Sequence, residues 1–220
     1  MTYVIISENV LNQAVAPRLP AATPTYDVNY INQLNNVLRL YFNQIDNILG
    51  QMKASSDTSG LRVPYGAFSS DQTQSTTANT ATLMTLNTTD FANDVSIASS
   101  KITVAKAGIY NLQFSTQFQN TDNAIQDISI WLRQNGTDIP GSTGLVSIPA
   151  RKSASAGDEA HEIIGWNYYV SMAAGQYIEI YWSTTLASVT IQNYAASTGP
   201  TRPSTQSVVA TMTFVSALPA

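Results

Sequence analysis

Two periods divide this chain. Ile31, Leu34, Leu38, Tyr41, Ile45, Ile48 and Met52 recur at alternating spacings of three and four, which is the a/d seam of a left-handed coiled coil. Thr25 or Asp27, just behind Pro24, can cap the start of such a helix, and Gly50 with the Ser-rich stretch from Ser55 to Gly60 weakens and then ends it. The spacing predicts a helix over 26–54 and a linker over 55–62. From Val63 onward the period changes to two. Gly108 to Ser115 alternates strictly, with Tyr110, Leu112 and Phe114 on one face. Ile128, Ile130 and Leu132 share a face in the next strand, which reaches Asn135-Gly136, a pair that tolerates positive φ and so favours a tight hairpin. Pro140 keeps the returning strand short or at an edge. Further strands are predicted over Ile163 to Ser171, Gln176 to Trp182, Ser188 to Tyr194 and Val208 to Val215, with weaker ones over Val63 to Ser69, Ala81 to Leu86 and Ser100 to Val104. A total of about eight to ten strands matches a two-sheet antiparallel jelly roll. The predicted fold class is therefore mostly β, a sandwich head over 63–220 behind a short helical coiled coil.

Residues 1–25 read as an extended arm. Tyr3, Val4, Ile5 and Ile6 form a short apolar strand candidate, and Pro17, Pro20 and Pro24 then fix φ and remove backbone donors. Two readings stay open for it: a strand that docks on another subunit, or a poorly ordered terminus. The heptads carry a similar choice between packing on their own domain and self-association. Val37, Phe42 and Leu49 widen the apolar face, and Ile or Leu at both seam positions shifts preference toward trimers or higher states. A helix this short is marginal alone in water, and an all-β head offers little to cover its stripe, so association with sister chains is the favoured reading.

Composition narrows the function. Charged residues make up 11% of the chain, well below the roughly 25% of an ordinary soluble domain, so Ser, Thr, Asn and Gln must clothe most of the surface. The net charge of −4 and the scattered Lys and Arg argue against neutralising a run of phosphates, hence against nucleic acid as a partner. The absence of cysteine removes disulfides, thiolate nucleophiles and Cys-based metal sites. The first residues lack the basic and apolar regions of a signal peptide, and no apolar run approaches the roughly 20 residues of a membrane span. Synthesis as a soluble cytoplasmic chain is expected, without membrane attachment.

Catalytic groups are sparse. His161 is the sole histidine; with no second imidazole and no His-Glu-x-x-His spacing, it reads as a solvated loop residue. No Gly-x-Ser-x-Gly elbow is present. Asp122, Asp127, Asp158, Glu159 and Glu162 sit in polar, turn-like surroundings unlike a glycosidase acid pair. Asp122-Asn123 and Asp90-Asn93-Asp94 offer oxygen ligands but not a calcium-loop spacing. The expectation is a chain that is not an enzyme and has no cofactor or metal. Trp166, Tyr168, Tyr169, Tyr177, Tyr181, Trp182 and Tyr194 are rings that could stack on sugar or on another subunit. Tyr168 and Tyr169 are adjacent on one strand and must point to opposite faces. Tyr168, Tyr169 and Trp182 are the candidate head interface.

Four segments carry a family resemblance: Pro64-Tyr65-Gly66-Ala67-Phe68, Ala107 to Phe114, Ile130-Trp131-Leu132-Arg133-Gln134-Asn135-Gly136, and Ala174 to Ile180, followed by a closing apolar strand. In this order they resemble the globular head of complement-type and tumour-necrosis-factor-like proteins, and more closely the version found in tailed-bacteriophage virion proteins. The resemblance spans about residues 63–216. It implies a homotrimer around a three-fold axis, often behind a trimeric stalk, serving as a capsid decoration (cement) protein or head fibre on the phage shell. Its partner would then be the major capsid protein or a neighbouring virion protein. The alternative within the resemblance is a tail-associated receptor-binding fibre that recognises host surface glycan.

Overall fold

The computed structural model describes residues 15–22, 24–53, 63–155 and 157–218, with side chains described outside 50–53. They belong to two compact units that part between Val63 and Pro64. In the first, helix α1 spans Val28–Lys53, close to the span that the heptads predict. Of the two candidate caps the chain uses Asp27: its side chain accepts the Asn29 amide at 2.8 Å and its carbonyl accepts the Ile31 amide at 3.1 Å. Such a cap typically contributes about 1 kcal/mol to helix stability. Tyr3, Val4, Ile5 and Ile6 lie outside the described residues, as does the linker over 55–62.

The second unit is mostly β, with two antiparallel sheets packed as a sandwich. The first sheet has the order β10 (Ala160–Met172), β6 (Gly108–Asn120), β15 (Val208–Ser216), β1 (Tyr65–Ser70) and β3 (Thr88–Asn93), with β12 (Val189–Ile191) also paired to β6. The second runs β4 (Val95–Ala98), β5 (Lys101–Val104), β11 (Tyr177–Thr184), β7 (Gln126–Gln134) and β8 (Thr137–Asp138), with β2 (Thr82–Leu83) beside β11 and β9 (Gly144–Ile148) beside β7. A separate small hairpin joins β13 (Ser197–Thr198) to β14 (Thr201–Arg202).

Alternation builds the core. Along β6 every second side chain from Tyr110 to Asn120 is buried, while the residues between them are half-buried or exposed. Ile128, Ile130 and Leu132 from β7, with Ile178, Ile180 and Trp182 from β11, close the same core from the other sheet. Phe118 meets Trp182 edge to face with ring centres 5.6 Å apart. The Asn135-Gly136 turn forms as expected, with φ of 50° and 82°, and the Asn135 side chain accepts the Tyr177 amide at 3.0 Å. β6 and β10 pair without interruption from Gly108↔Met172 to Asn120↔Ala160. Midway, a Cβ on Gly165 would lie 2.5 Å from the Phe114 carbonyl oxygen. Only glycine lets these two backbones approach so closely there.

Candidate assembly surfaces

The seam of α1 is incompletely covered. Ile31, Leu34, Leu38, Tyr41, Ile45 and Ile48 are half-buried in the single chain, while Leu40, Phe42 and Leu49 stand more than half exposed. Met52 falls within the helix. The Asn, Gln and Arg positions between them are exposed. An apolar stripe of this width on a helix is a surface for burial against other apolar side chains.

On the head, the two sheets present different outer faces. Register on the first sheet sets three rows side by side across β10, β6 and β15: Tyr169, Asn111 and Thr213; Asn167, Gln113 and Thr211; Gly165, Ser115 and Val209. None of these side chains is charged. A shallow depression of about 270 Å³ lies over this strip, lined by Gln113, Ser115, Val209 and Thr211. Asn111 Oδ1 is shut from solvent and has no hydrogen-bond partner among the described residues. Burying such an acceptor unpaired is unfavourable, so Asn111 Oδ1 is open to a donor from outside the single chain.

The outer face of the second sheet carries the ions and stacked rings. Trp131 lies on Tyr181 with centres 5.9 Å apart, and the Arg133 guanidinium sits 4.0 Å from the Tyr181 ring centre. Asp138 accepts from both Arg133 Nε at 2.8 Å and Trp131 Nε1 at 2.9 Å. The hydrogen bond from Arg133, then that from Trp131, holds the Asp138 carboxyl below its ordinary range. Lys101 lies 4.3 Å from the Tyr177 ring centre. These groups satisfy one another, and exposed ion pairs of this kind add little stability.

The candidate head-interface residues separate. Tyr169 is 59% exposed on the uncharged face, whereas its neighbour Tyr168 turns inward and packs against the core. Trp182 requires correction. It has no exposed surface and is therefore core in the single chain, because it shares the inward phase of Ile178 and Ile180 on β11. Tyr181 is the outward member of that pair.

His161 also differs from expectation. It belongs to β10, opposite Gln119, and its Nδ1 lies 3.1 Å from the Tyr194 hydroxyl. Tyr194 and Thr205 are fixed across from each other by reciprocal backbone bonds of 3.3 and 2.8 Å. Arg202 on β14 brings its guanidinium to 5.7 Å from the Tyr194 ring centre. With Gln117 of β6 these residues line a cavity of about 350 Å³. Burial, and then the charge of Glu159, raise the Tyr194 hydroxyl above its ordinary value, against the pull of Arg202. Sequence reasoning missed this cluster because its members come from β6, β10 and the stretch 194–205, none with a motif.

The carboxylates considered as calcium ligands have other partners. Asp94 pairs with Lys106 at 3.2 Å. Asp122 accepts from the Asn123 amide and the Gln126 side chain. Among the described residues no group of three or more His, Asp or Glu side chains is placed to hold a metal. No helix among them is long and apolar enough to cross a membrane.

Asp94 also helps set a pH dependence. The Tyr110 ring is wholly buried and its hydroxyl donates to the Lys106 carbonyl at 2.7 Å. Burial, reinforced by Asp94, pushes the hydroxyl up to about 12 from 10.0. The folded protein thus keeps this proton where the unfolded chain loses it. The contribution is intact below pH 10 and disappears as pH rises toward 12, at most roughly 2–3 kcal/mol. Urea midpoints from pH 9 to 12 should fall more steeply for the wild type than for Tyr110→Phe; equal slopes would contradict the assignment. No protein-family model matches the chain, and no curated protein matches it by sequence.

Proposed function

We propose that the protein is a trimeric virion structural protein without enzymatic activity, a capsid decoration or head-fibre component that attaches to a phage shell through its N-terminal region. The uncharged rows on the first sheet, with the unpaired Asn111 oxygen among them, carry this reading. An uncharged face on which a solvent-shielded acceptor has no partner in the single chain suits packing against a neighbouring copy. The half-buried seam of α1 supports the same stoichiometry, since Ile and Leu at both seam positions favour three or more strands. Strand order supports the jelly roll. The eight principal strands β1, β5, β6, β7, β9, β10, β11 and β15 alternate in nested fashion between the sheets, β1-β15-β6-β10 facing β5-β11-β7-β9. The assignment to a virion rests on the resemblance of the head segments to tailed-phage proteins.

Two measurements test the proposal. Light scattering at micromolar concentration should report three times the chain mass of 23.7 kDa; a monomer or dimer would refute the assembly. Deleting residues 1–25 should leave trimers folded but unable to bind bare shells. A truncated protein that saturates shells as well as the full chain does would move the docking surface elsewhere. The polar cavity around His161 favours a second reading, a tail-associated fibre that binds host surface glycan.

A further inference from the structure

We propose that the cavity bounded by Gln117, His161, Tyr194, Arg202 and Thr205 binds a carboxylate-bearing sugar. This inference rests on the second reading above, whose glycan class it names, and requires only the head as described; galactose that binds as well as galacturonate would sink the inference and leave that reading standing.

The polar side chains that line this cavity are only partly engaged within the protein. Thr205 Oγ1 is shut from solvent with no hydrogen-bond partner among the described residues. Among the described residues, Arg202 uses only Nη1, at 3.3 and 3.5 Å from the Ala195 and Pro203 carbonyls. That leaves Nε and Nη2 as donors. His161 spends Nδ1 on Tyr194 and the Gln117 backbone is bonded at both ends, while His161 Nε2 and the Gln117 side-chain amide have no hydrogen-bond partner among the described residues. The Thr205 hydroxyl, left in this state, is costly in the empty protein and becomes favourable when a ligand completes it; Arg202 and His161 are exposed and offer their free nitrogens to a ligand from the solvent side.

Charge and size select the ligand. The lining includes one guanidinium and no carboxylate. The carboxylate of nearby Glu159 is held below its ordinary range first by its own backbone amide and that of Gly157. Glu159 therefore stays ionised, engaged by backbone amides and outside the lining, so the anion selection rests on the Arg202 guanidinium, which pairs well with a planar carboxylate. A phosphate would call for more than one cation or a nest of backbone amides, whereas the remaining tips here are hydroxyl, amide and imidazole groups that match the hydroxyls of a sugar ring. A volume of about 350 Å³ is near the lower end of small-molecule sites, so one sugar unit fits better than a chain. Tyr194 supplies an apolar wall. The reciprocal backbone bonds between Tyr194 and Thr205 and the β13–β14 hairpin that carries Arg202 make the cavity a property of the fold.

Calorimetric titration of the full-length protein with galacturonate, galactose and acetate tests the inference. Galacturonate should bind about tenfold or more tightly than either galactose, which lacks the carboxylate, or acetate, which lacks the ring. Arg202→Ala should lower galacturonate affinity about tenfold without changing the melting temperature. Thr205→Val should weaken binding while leaving the melting temperature equal or higher, because it removes an unpaired buried hydroxyl. Equal binding of galactose and galacturonate, or no binding of any probe, would overturn the proposal. So would an Arg202→Ala protein whose oligomeric mass changes while galacturonate affinity does not, since the cavity would then belong to a contact between copies.

Discussion

Replacing Leu38 and Ile45 with Asn is expected to melt α1 while the head keeps its cooperative transition. Both side chains are half-buried in the single chain and would be fully enclosed if three copies close on the seam. Each would then contribute about 1.5–3 kcal/mol through burial, and a trimer contains three copies of each. The loss reaches roughly 9–18 kcal/mol per trimer as an upper estimate, and six amides would enter an apolar seam without assured partners. A helix of 26 residues with a polar outer face cannot replace that from propensity alone. Far-ultraviolet ellipticity should lose its helical component, and light scattering should show weakened association. The head transition should move by only a few degrees, because its core is built from other residues. If the head unfolds as well, the helix is integral to it and the stalk assignment fails.

Trp182→Ala should do the reverse. This ring has no exposed surface and lies between the sheets against Phe118. Truncating such a side chain costs about 3–5 kcal/mol through lost burial and the cavity left behind. For a domain of this size the melting temperature should fall by roughly 6–20 °C. Oligomeric mass below the transition should not change. Trp182→Phe makes the comparison sharper, since Trp182 Nε1 has no hydrogen-bond partner among the described residues and phenylalanine removes that unpaired donor while filling most of the space. Its cost should be much smaller. A Trp182→Ala protein that melts normally but dissociates would restore the tryptophan to an interface and contradict its place in the core.

The part of the fold legible in the sequence was the part in which a single face decides the pattern. Alternation marked β6 and β7 because one side of each strand enters the core and the other does not. The heptads marked α1 for the same reason at a different period. Edge strands escaped notice: Thr88–Asn93 exposes most of its side chains, so nothing selects a period-two pattern there. Trp182 was misassigned because two adjacent rings fix only that they face opposite ways, and their phase comes from Ile178 and Ile180. The cavity residues were beyond reach for another reason. His161, Tyr194 and Arg202 are joined through strand pairing and a backbone bridge between distant segments, and local spacing carries no trace of such contacts.

The position of β15 in its sheet has a consequence for synthesis. It lies between β1 and β6, and Ser70 pairs with Val208, so the first strand of the head waits for the last before it has its inner neighbour. A nascent chain emerging in order must hold β1 and β6 with a gap between them, exposing unpaired backbone and the apolar side chains that Val208, Ala210 and Met212 later cover. Sheet closure therefore waits for residues 208–216 and joins strands of large sequence separation, which slows folding and leaves an open edge liable to aggregate in the interval. Chains interrupted before residue 208 should accumulate as insoluble or degraded fragments rather than as smaller folded heads.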